Sequence, residues 1–196
     1  MTPRVGCVVL AAGASRRLQQ PKQLLLHRGE PLVRQAATAA CQSNAATCAV
    51  VVGAHATAVS VALSGLPLEI IENGNFAEGL ASSIRVALAW AEQRRCSALL
   101  LALCDQPRLT TAHLDRLIRA HRGALTVASR YAGKNGVPAL FPEARFAELA
   151  ELRGDVGASA LLNRNAPVTS VPWPEGELDV DTPEAARRLI DPIPEG

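Results

Sequence analysis

The chain has 196 residues, of which 48% are hydrophobic and 19% are charged, so it can bury a core and is unlike a disordered or low-complexity segment. Its net charge of +2 argues against a surface built for nucleic acid or an anionic membrane. Its aromatic content of 3% argues against a platform on which bases stack. Only two of its 20 basic residues are lysines, Lys22 and Lys134, so both positions invite a specific explanation.

Cysteine usage and the N-terminus indicate the cellular setting. The five cysteines are odd in number and show no CxxC spacing, so the sequence predicts neither a disulfide framework nor a zinc site. We find no signal peptide, and apolar stretches such as Ala98–Cys104 are far shorter than the roughly 20 residues of a membrane span. We therefore expect a protein of the reducing cytoplasm that makes no contact with membranes.

Short apolar runs alternate with segments of helical period along the chain. Ser83–Glu92 and His113–Arg122 each place apolar residues on one face of a helix. Val168–Glu177 is interpreted as a connection. The alternation predicts one α/β domain over residues 1–196, Rossmann-like, with a mostly parallel central sheet and helices on both faces. The predicted strands are Val5–Leu10, Ala49–Val52, Leu68–Ile71, Ala98–Leu103 and Ala124–Ala128.

The loop after the first predicted strand, Ala11–Lys22, carries small residues followed by basic ones. Its single glycine, Gly13, excludes a dinucleotide fingerprint, and no second glycine precedes Lys22 as a Walker A loop would require. Small side chains nevertheless leave backbone N–H groups accessible to phosphate oxygens, and Arg17 and Lys22 supply positive charge. The alternative is a surface connection with solvated charges.

Three carboxylates in the second half of the chain are candidates for binding a metal. Asp105 follows the fourth apolar run, where a carboxylate can hold Mg²⁺ together with substrate phosphates; the alternative is a turn or a helix cap. For Asp155, capping of the segment Ser159–Leu162 is the plainest interpretation. Capping also suffices for Asp181, which precedes Thr182 and Pro183.

The segment Gly79–Ile84 precedes the helix predicted at Ser83–Glu92. Either Ser82 or Ser83 is suited to the N-cap of that helix. A helix start can also bind a base or a phosphate oxygen.

Taken together and in order, these motifs resemble the MobA-like nucleotidyltransferases, and among them the molybdenum cofactor cytidylyltransferases. Val9–Leu18, followed by Pro21 and Lys22, resembles the signature loop of the family. Gly79–Ile84 resembles its second nucleotide motif, and Leu103–Pro107 its metal motif. Three later blocks also match in order: Gly136–Phe141, Gly154–Ala158 and Asp179–Pro183.

The resemblance implies transfer of a nucleotidyl group from a nucleoside triphosphate to a phosphorylated acceptor, with Mg²⁺ as cofactor and release of pyrophosphate. By position, Asp105 would bind Mg²⁺, Arg17 and Lys22 would hold the triphosphate, and Asp155 or Asp181 would provide a second metal ligand. The nucleotide would be bordered by Leu10, Ala11, Ala12, Gly13, Ser15, Gly79, Ser82 and Ser83.

The resemblance also implies particular substrates. In the family, Ala-Ala-Gly in the signature loop accompanies cytidine, so Ala12 favours CTP. The implied acceptor is molybdopterin, with a molybdoenzyme or chaperone as partner. Gln19, Cys104 and Val137 depart from the family pattern, and Val137 replaces a polar residue of the acceptor region. The alternatives are another acceptor, such as a phospholactate-like compound or a sugar phosphate, and a non-catalytic nucleotide-binding module.

Overall fold

The structure, a computed structural model, describes residues 3–16, 18, 20–163, 167–180, 184 and 186–187. Strands and helices alternate along most of this chain. The strands are β1 (Val5–Ala11), β2 (Leu26–His27), β3 (Glu30–Pro31), β4 (Thr47–Val52), β5 (Glu69–Glu72), β6 (Ala98–Leu103), β7 (Thr126–Tyr131), β8 (Lys134–Pro142) and β9 (Val168–Pro172). The helices are α1 (Leu32–Cys41), α2 (Ala56–Ala62), α3 (Leu80–Gln93), α4 (Thr111–Ala120), α5 (Phe146–Ala150) and α6 (Ser159–Leu162).

Seven of these strands form one sheet in the order β5-β4-β1-β6-β8-β7-β9, while β2 and β3 form a separate small hairpin. Within the large sheet β8 alone runs antiparallel to its neighbours, so the predicted mostly parallel sheet is confirmed. The central strand β1 lies between β4 and β6, which places the loop after β1 beside the loop after β6. Ligands of open α/β sheets bind at such an edge.

The core lies on both faces of the sheet, as continuous apolar strands require. Alternate residues of β1 point to opposite faces, so that Cys7 and Val9 join one cluster while Val8 and Leu10 join the other. Helices α1, α2 and α4 cover the first face, and α3, α5 and α6 cover the second. Each fully buried Val or Leu contributes about 1.5–3 kcal/mol to folding. The prediction of helices on both faces is confirmed.

The third quarter of the chain and the connection that follows it differ from the prediction. Strand β8 was not predicted, because its start at Lys134–Gly136 is polar and Pro138 interrupts its pattern. The interpretation of Val168–Glu177 as a connection was wrong for Val168–Pro172, which forms β9 by parallel pairing with β7. No helix in the described part of the chain combines the length and the apolar character needed to cross a bilayer.

Candidate active site

A cleft of about 480 Å³ opens at the sheet edge where β1 and β6 end and α3 begins. One wall is the loop after β1, the floor is the end of β6 with its following residues, and the opposite wall is the start of α3. The cleft is lined by Leu10–Arg16, Leu18, Lys22, Gln23, Phe76, Ala77, Gly79, Leu80, Ser83, Leu103–Asp105 and Asp155.

The loop after β1 is folded tightly around Ser15. This residue has a left-handed backbone with φ of 51°, and its carbonyl oxygen accepts a hydrogen bond from the N–H of Leu18 at 3.0 Å. Its Oγ accepts a hydrogen bond from the N–H of Lys22 at 3.1 Å, at the start of a 3₁₀ turn over Lys22–Leu24. Ser15 therefore holds the backbone of Lys22 against the loop. Arg17, predicted to hold the triphosphate, lies outside the described residues.

Gln23 is a site residue that the sequence analysis missed. Its side chain is completely buried, and its amide nitrogen donates hydrogen bonds to the carbonyl oxygens of Ala11 at 2.9 Å and Gly13 at 2.6 Å. Its Oε1 accepts a hydrogen bond from the hydroxyl of Ser15 at 3.3 Å. A glutamine beside a lysine gives no sequence signal of burial, since glutamine is mostly exposed in proteins.

Lys22 and Asp105 form an ion pair at the floor of the cleft. Nζ of Lys22 donates a hydrogen bond to Oδ2 of Asp105 at 2.5 Å, and the side chains are 19% and 9% exposed, respectively. The other carboxylate oxygen, Oδ1, is buried and meets no hydrogen-bond donor among the residues that the structure describes. A buried charged oxygen left in this way is costly unless a ligand completes its coordination.

The opposite wall of the cleft depends on Asn73, another residue that the sequence analysis missed. Its side-chain nitrogen donates hydrogen bonds to the hydroxyls of Ser82 at 2.8 Å and Ser83 at 3.0 Å, and its Oδ1 accepts the N–H of Asn75 at 3.0 Å. The Ser82 hydroxyl donates in turn to the carbonyl oxygen of Gly79 at 2.8 Å. Ser83 lines the cleft, whereas Ser82 does not line it and instead bonds Gly79, the residue that precedes α3.

Gly79, rather than Ser82 or Ser83, caps α3, so that expectation was wrong. The helix begins at Leu80, and Gly79 has φ of 103°, a conformation that side chains disfavour. A Cβ at this position would lie 2.5 Å from the backbone of Gly154 and 2.6 Å from Oδ1 of Asp155. The carbonyl oxygen of Gly154 accepts the N–H of Ala81 at 3.0 Å, which satisfies one orphan donor of the helix start.

Asp155 lies in the wall of the cleft and does not cap α6. The N-cap residue of that helix is Ala158, with no hydrogen bond from a side chain, because Asp155 is three residues further back beside Gly79. Asp181, the other candidate for a second metal ligand, lies outside the described residues. Its neighbour Val180 donates its N–H to the carbonyl oxygen of Asp105 at 3.0 Å, so the late motif reaches the cleft floor.

The fold thus brings most of the predicted site residues to one cleft. Among the predicted site residues that the structure describes, only Ser82 does not line the cleft. Among the described residues, no group of three or more His, Cys, Asp or Glu side chains is arranged to hold a metal ion. The predicted residues that line the cleft are Leu10, Ala11, Ala12, Gly13, Ser15, Lys22, Gly79, Ser83, Asp105 and Asp155.

Fold and family together define the class: the protein is a nucleotidyltransferase with a Rossmann-like α/β fold. Residues 7–168 match the model of the MobA-like NTP transferase domain, and the chain belongs to that family. The matched range contains the loop after β1, Gly79, Ser83, Asp105 and Asp155.

Individual relatives resemble the chain over nearly its whole length. Nicotine blue oxidoreductase of Paenarthrobacter nicotinovorans is 32% identical, covering 96% of this chain and 97% of its own. Purine catabolism protein PucB of Bacillus subtilis is 30% identical, covering 90% and 91%. The crystal structure of Rv0371c from Mycobacterium tuberculosis, a complex with manganese, is 33% identical with a TM-score of 0.78 and covers 97% and 100%.

Proposed function

We propose that the protein transfers a nucleoside monophosphate group, CMP from CTP, to a phosphorylated small-molecule acceptor and releases pyrophosphate. The acceptor that the motifs favour is a molybdopterin-type cofactor. The observation that carries the proposal is the ion pair of Lys22 and Asp105, at 2.5 Å, set directly beside a small-residue loop. A cation and a carboxylate at such a loop suit a triphosphate and its metal ion.

Asp105 suits a divalent cation, since its buried Oδ1 meets no donor from the described residues and is a hard oxygen ligand. Mg²⁺ is usually held by one or two carboxylates together with substrate phosphates, so Asp105 with Asp155 or Asp181 would form a sufficient protein contribution. When bound, the ion would neutralise charge on the phosphate oxygens. The manganese complex of Rv0371c supports a divalent metal in this family.

The chain's own residues bind and align the substrates. Lys22 places its positive charge at the cleft floor, where it would stabilise the pyrophosphate that departs, and Arg17 is proposed to assist it. Phe76, Ala77, Gly79 and Ser83 form the wall proposed to hold the base. Ala12 favours cytosine, following the family pattern.

No general base is needed for the proposed reaction. The acceptor phosphate is already an anion, and one of its oxygens would attack the α-phosphorus of the nucleotide. The bond between the α-phosphorus and its bridging oxygen would break, and pyrophosphate would leave with the electron pair. The protein then has to hold the two substrates in line and offset their charge, which accounts for most catalysis in phosphoryl transfer.

The acceptor and the cellular setting are the finer parts of the proposal. Val137 stands where the family pattern has a polar residue in the acceptor region. A phospholactate-like compound and a sugar phosphate are therefore the alternative acceptors. A molybdoenzyme or its chaperone is the partner that a molybdopterin product would require. The five free thiols are typical of the reducing cytoplasm, where we place the protein.

A redox reaction is the second candidate function, because the relative from Paenarthrobacter nicotinovorans is named as an oxidoreductase at 32% identity. The pair of Lys22 and Asp105 favours nucleotidyl transfer, since hydride transfer requires no metal-binding carboxylate at the phosphate loop. Oxidation of NADH or NADPH by the purified protein, with aromatic electron acceptors, would support the redox candidate.

The test is release of pyrophosphate from CTP, GTP, ATP and UTP with Mg²⁺, with and without molybdopterin. We expect CTP to be the best substrate and release to depend on the acceptor. Asp105→Asn should lower turnover by about 100-fold or more, because it removes charge from the proposed metal ligand. Asp115→Asn is the matched control, since Asp115 lies on α4, where its carboxylate accepts the N–H of Asn44 at 2.8 Å.

Each result of this assay decides between functions. Turnover with another phosphorylated acceptor alone would retain the chemistry and replace molybdopterin. Binding of a triphosphate without any turnover would favour the non-catalytic module. Full activity of Asp105→Asn would refute the role of Asp105 in metal binding.

A further inference from the structure

Gln23 combines complete burial with hydrogen bonds to Ala11 at the end of β1 and to Gly13 and Ser15 of the following loop. We propose that Gln23 is a positioning residue for phosphate binding, which fixes the loop so that its N–H groups face the nucleotide. This inference rests on the proposed function, since it assigns the phosphates of a nucleoside triphosphate to this loop. It concerns Gln23 itself, which contacts the loop and not the reacting atoms.

Gln23 holds two carbonyl groups of the chain at the end of β1 and in the following loop. Its amide nitrogen donates to the carbonyl oxygens of Ala11 and Gly13, two residues apart. A trans peptide unit is planar, and its N–H points opposite to its C=O. The N–H groups of Ala12 and Ala14 therefore point away from the Gln23 amide, and both of these residues line the cleft.

These two N–H groups are available for a ligand. Within the described part of the chain, no carbonyl or side chain accepts a hydrogen bond from the N–H of Ala12 or Ala14. Successive N–H groups turned to one side of a loop form a concave site that attracts anions. A triphosphate oxygen is the ligand of matching chemistry, given Lys22 at the same floor.

Gln23 also links the loop to Lys22. Its Oε1 accepts the Ser15 hydroxyl, and the same Ser15 oxygen accepts the backbone N–H of Lys22. One side chain thus fixes the curvature of the loop and the start of the turn that carries the cation. Substitution of Gln23 should disturb both groups that bind phosphate while leaving the base-binding wall at Gly79 and Ser83 unchanged.

The test compares the binding of CTP and of cytidine, each with Mg²⁺, to wild type and to Gln23→Met by calorimetric or NMR titration. Methionine retains the length of glutamine and removes both donors. We expect the dissociation constant of CTP to rise by about tenfold, because the loop N–H groups would lose their alignment with a charged phosphate. That of cytidine should rise several-fold less, because only Ala12 of this loop is proposed to favour the base. Gln23→Glu, which replaces the donating nitrogen by an oxygen, is measured in the same way and should show the same selectivity. If Gln23→Met does not fold, the comparison of CTP and cytidine is made with Gln23→Glu.

Gln35→Met is the matched control. The amide of Gln35 also donates to two backbone carbonyls, those of His27 and Glu30, but it does so on α1 away from the cleft. It should lower stability in a similar way without changing affinity for CTP.

Four outcomes are distinguishable. A loss several-fold larger for CTP than for cytidine supports the positioning role. Equal losses for CTP and cytidine, or no loss, would overturn it, because Gln23 would then only stabilise the fold or have no role. If wild type binds none of the four triphosphates, the proposed function itself fails.

Discussion

Two polar clusters of this protein, one at the cleft floor and one beneath α4, are bonded in opposite ways. At the cleft floor, Lys22 and Asp105 form an ion pair in which Oδ1 of Asp105 meets no donor from the described residues. Beneath α4, His113 and Ser129 are 1% and 0% exposed, and all their side-chain polar atoms are bonded. The described residues thus leave one polar atom of the first cluster without a hydrogen-bond partner, whereas they satisfy all the side-chain polar atoms of the second.

The second cluster also fixes a proton position. The Ser129 hydroxyl donates to the carbonyl oxygen of Pro138 at 2.7 Å, so it accepts the Nε2–H of His113, also at 2.7 Å. Nδ1 of His113 then accepts from Arg116 at 3.0 Å, and the imidazole stacks on Trp173 at 4.5 Å between ring centroids. A histidine held in this way is part of the scaffold. Between these two clusters, the difference is a carboxylate oxygen that has no donor among the described residues at the cleft floor.

The largest expected effect tests the first cluster. Lys22→Met should weaken triphosphate binding by about 100-fold, because it removes a charge-assisted contact at the proposed phosphate site. Lys134→Met, at the only other lysine, should leave binding unchanged, since Lys134 is exposed at the start of β8. Titration with CTP measures both variants. If Lys22→Met bound CTP as tightly as Lys134→Met does, Lys22 would have no role in phosphate binding, and the two clusters would not differ in function.

The next largest effect is a dependence of the free energy of unfolding on pH, which arises from His113 in the second cluster. Burial, and then the positive charge of Arg116, lower the pKa of His113 from 6.5 to about 4. The unfolded chain binds this proton near pH 6.5 and the folded chain only near pH 4. The contribution to stability is therefore full above pH 6.5 and decreases as the pH falls through this window. We expect a loss of about 2 kcal/mol between pH 7 and pH 4.5.

Chemical denaturation across this pH range measures the effect. His113→Phe should remove most of the pH slope. A smaller part should remain from His121, whose pKa burial also lowers. An unchanged slope in His113→Phe would show that His113 is not held in its neutral form by the fold.

Ser129→Ala should have a smaller effect and sharpen the same contrast. It leaves the Nε2–H of His113 and the carbonyl of Pro138 without their partner, which should lower the free energy of unfolding by about 1.5 kcal/mol. Pyrophosphate release should stay within about twofold of wild type. Ser170→Ala, at an exposed serine, serves as the control for the loss of a hydroxyl. A strong loss of turnover in Ser129→Ala would assign the second cluster to the reaction.

Gly13→Ala should have the smallest effect and acts at the cleft alone. A Cβ at Gly13 would meet nothing within 4 Å, so the stability of the protein should not fall. The added methyl group would stand beside the N–H groups proposed to bind phosphate, and CTP affinity should decrease by about fivefold. Unchanged affinity would place the phosphates elsewhere in the cleft.

The sequence predicted the parts of the fold that depend on continuous apolar runs. Strands β1, β4 and β6 lie within a few residues of the predicted runs, because buried parallel strands are apolar throughout. Strands β5 and β7 also lie near their predicted runs, although β5 has a glutamate at each end and β7 includes Arg130. Strand β8 carries Lys134, Asn135 and Pro138, and it pairs with β7 across the turn at Ala132 and Gly133 and with β6, which is distant in sequence. Local composition does not contain the pairing with β6.

The site was predictable where charge or a loop motif marks it, as at Lys22 and Asp105, which the fold brings together across 83 residues of sequence. Gln23 and Asn73 were not predictable from the sequence. In both, the buried amide nitrogen donates to backbone carbonyls or to serine hydroxyls, and these acceptors are set by tertiary structure. The error at α3 has a similar cause, because the place of Gly79 depends on its contact with Gly154.

Val180 packs with Leu18, Leu25 and Leu32 while its N–H bonds the carbonyl of Asp105. Val180 thus contacts the loop after β1 and the loop after β6, which meet at the cleft floor. During synthesis the sheet strands from β1 to β9 emerge before Val180, so the cleft can be completed only after the rest of the sheet is available. We expect a variant cut before Val180 to keep strands β1 to β9 and to lose this hydrogen bond and this apolar contact at the cleft floor.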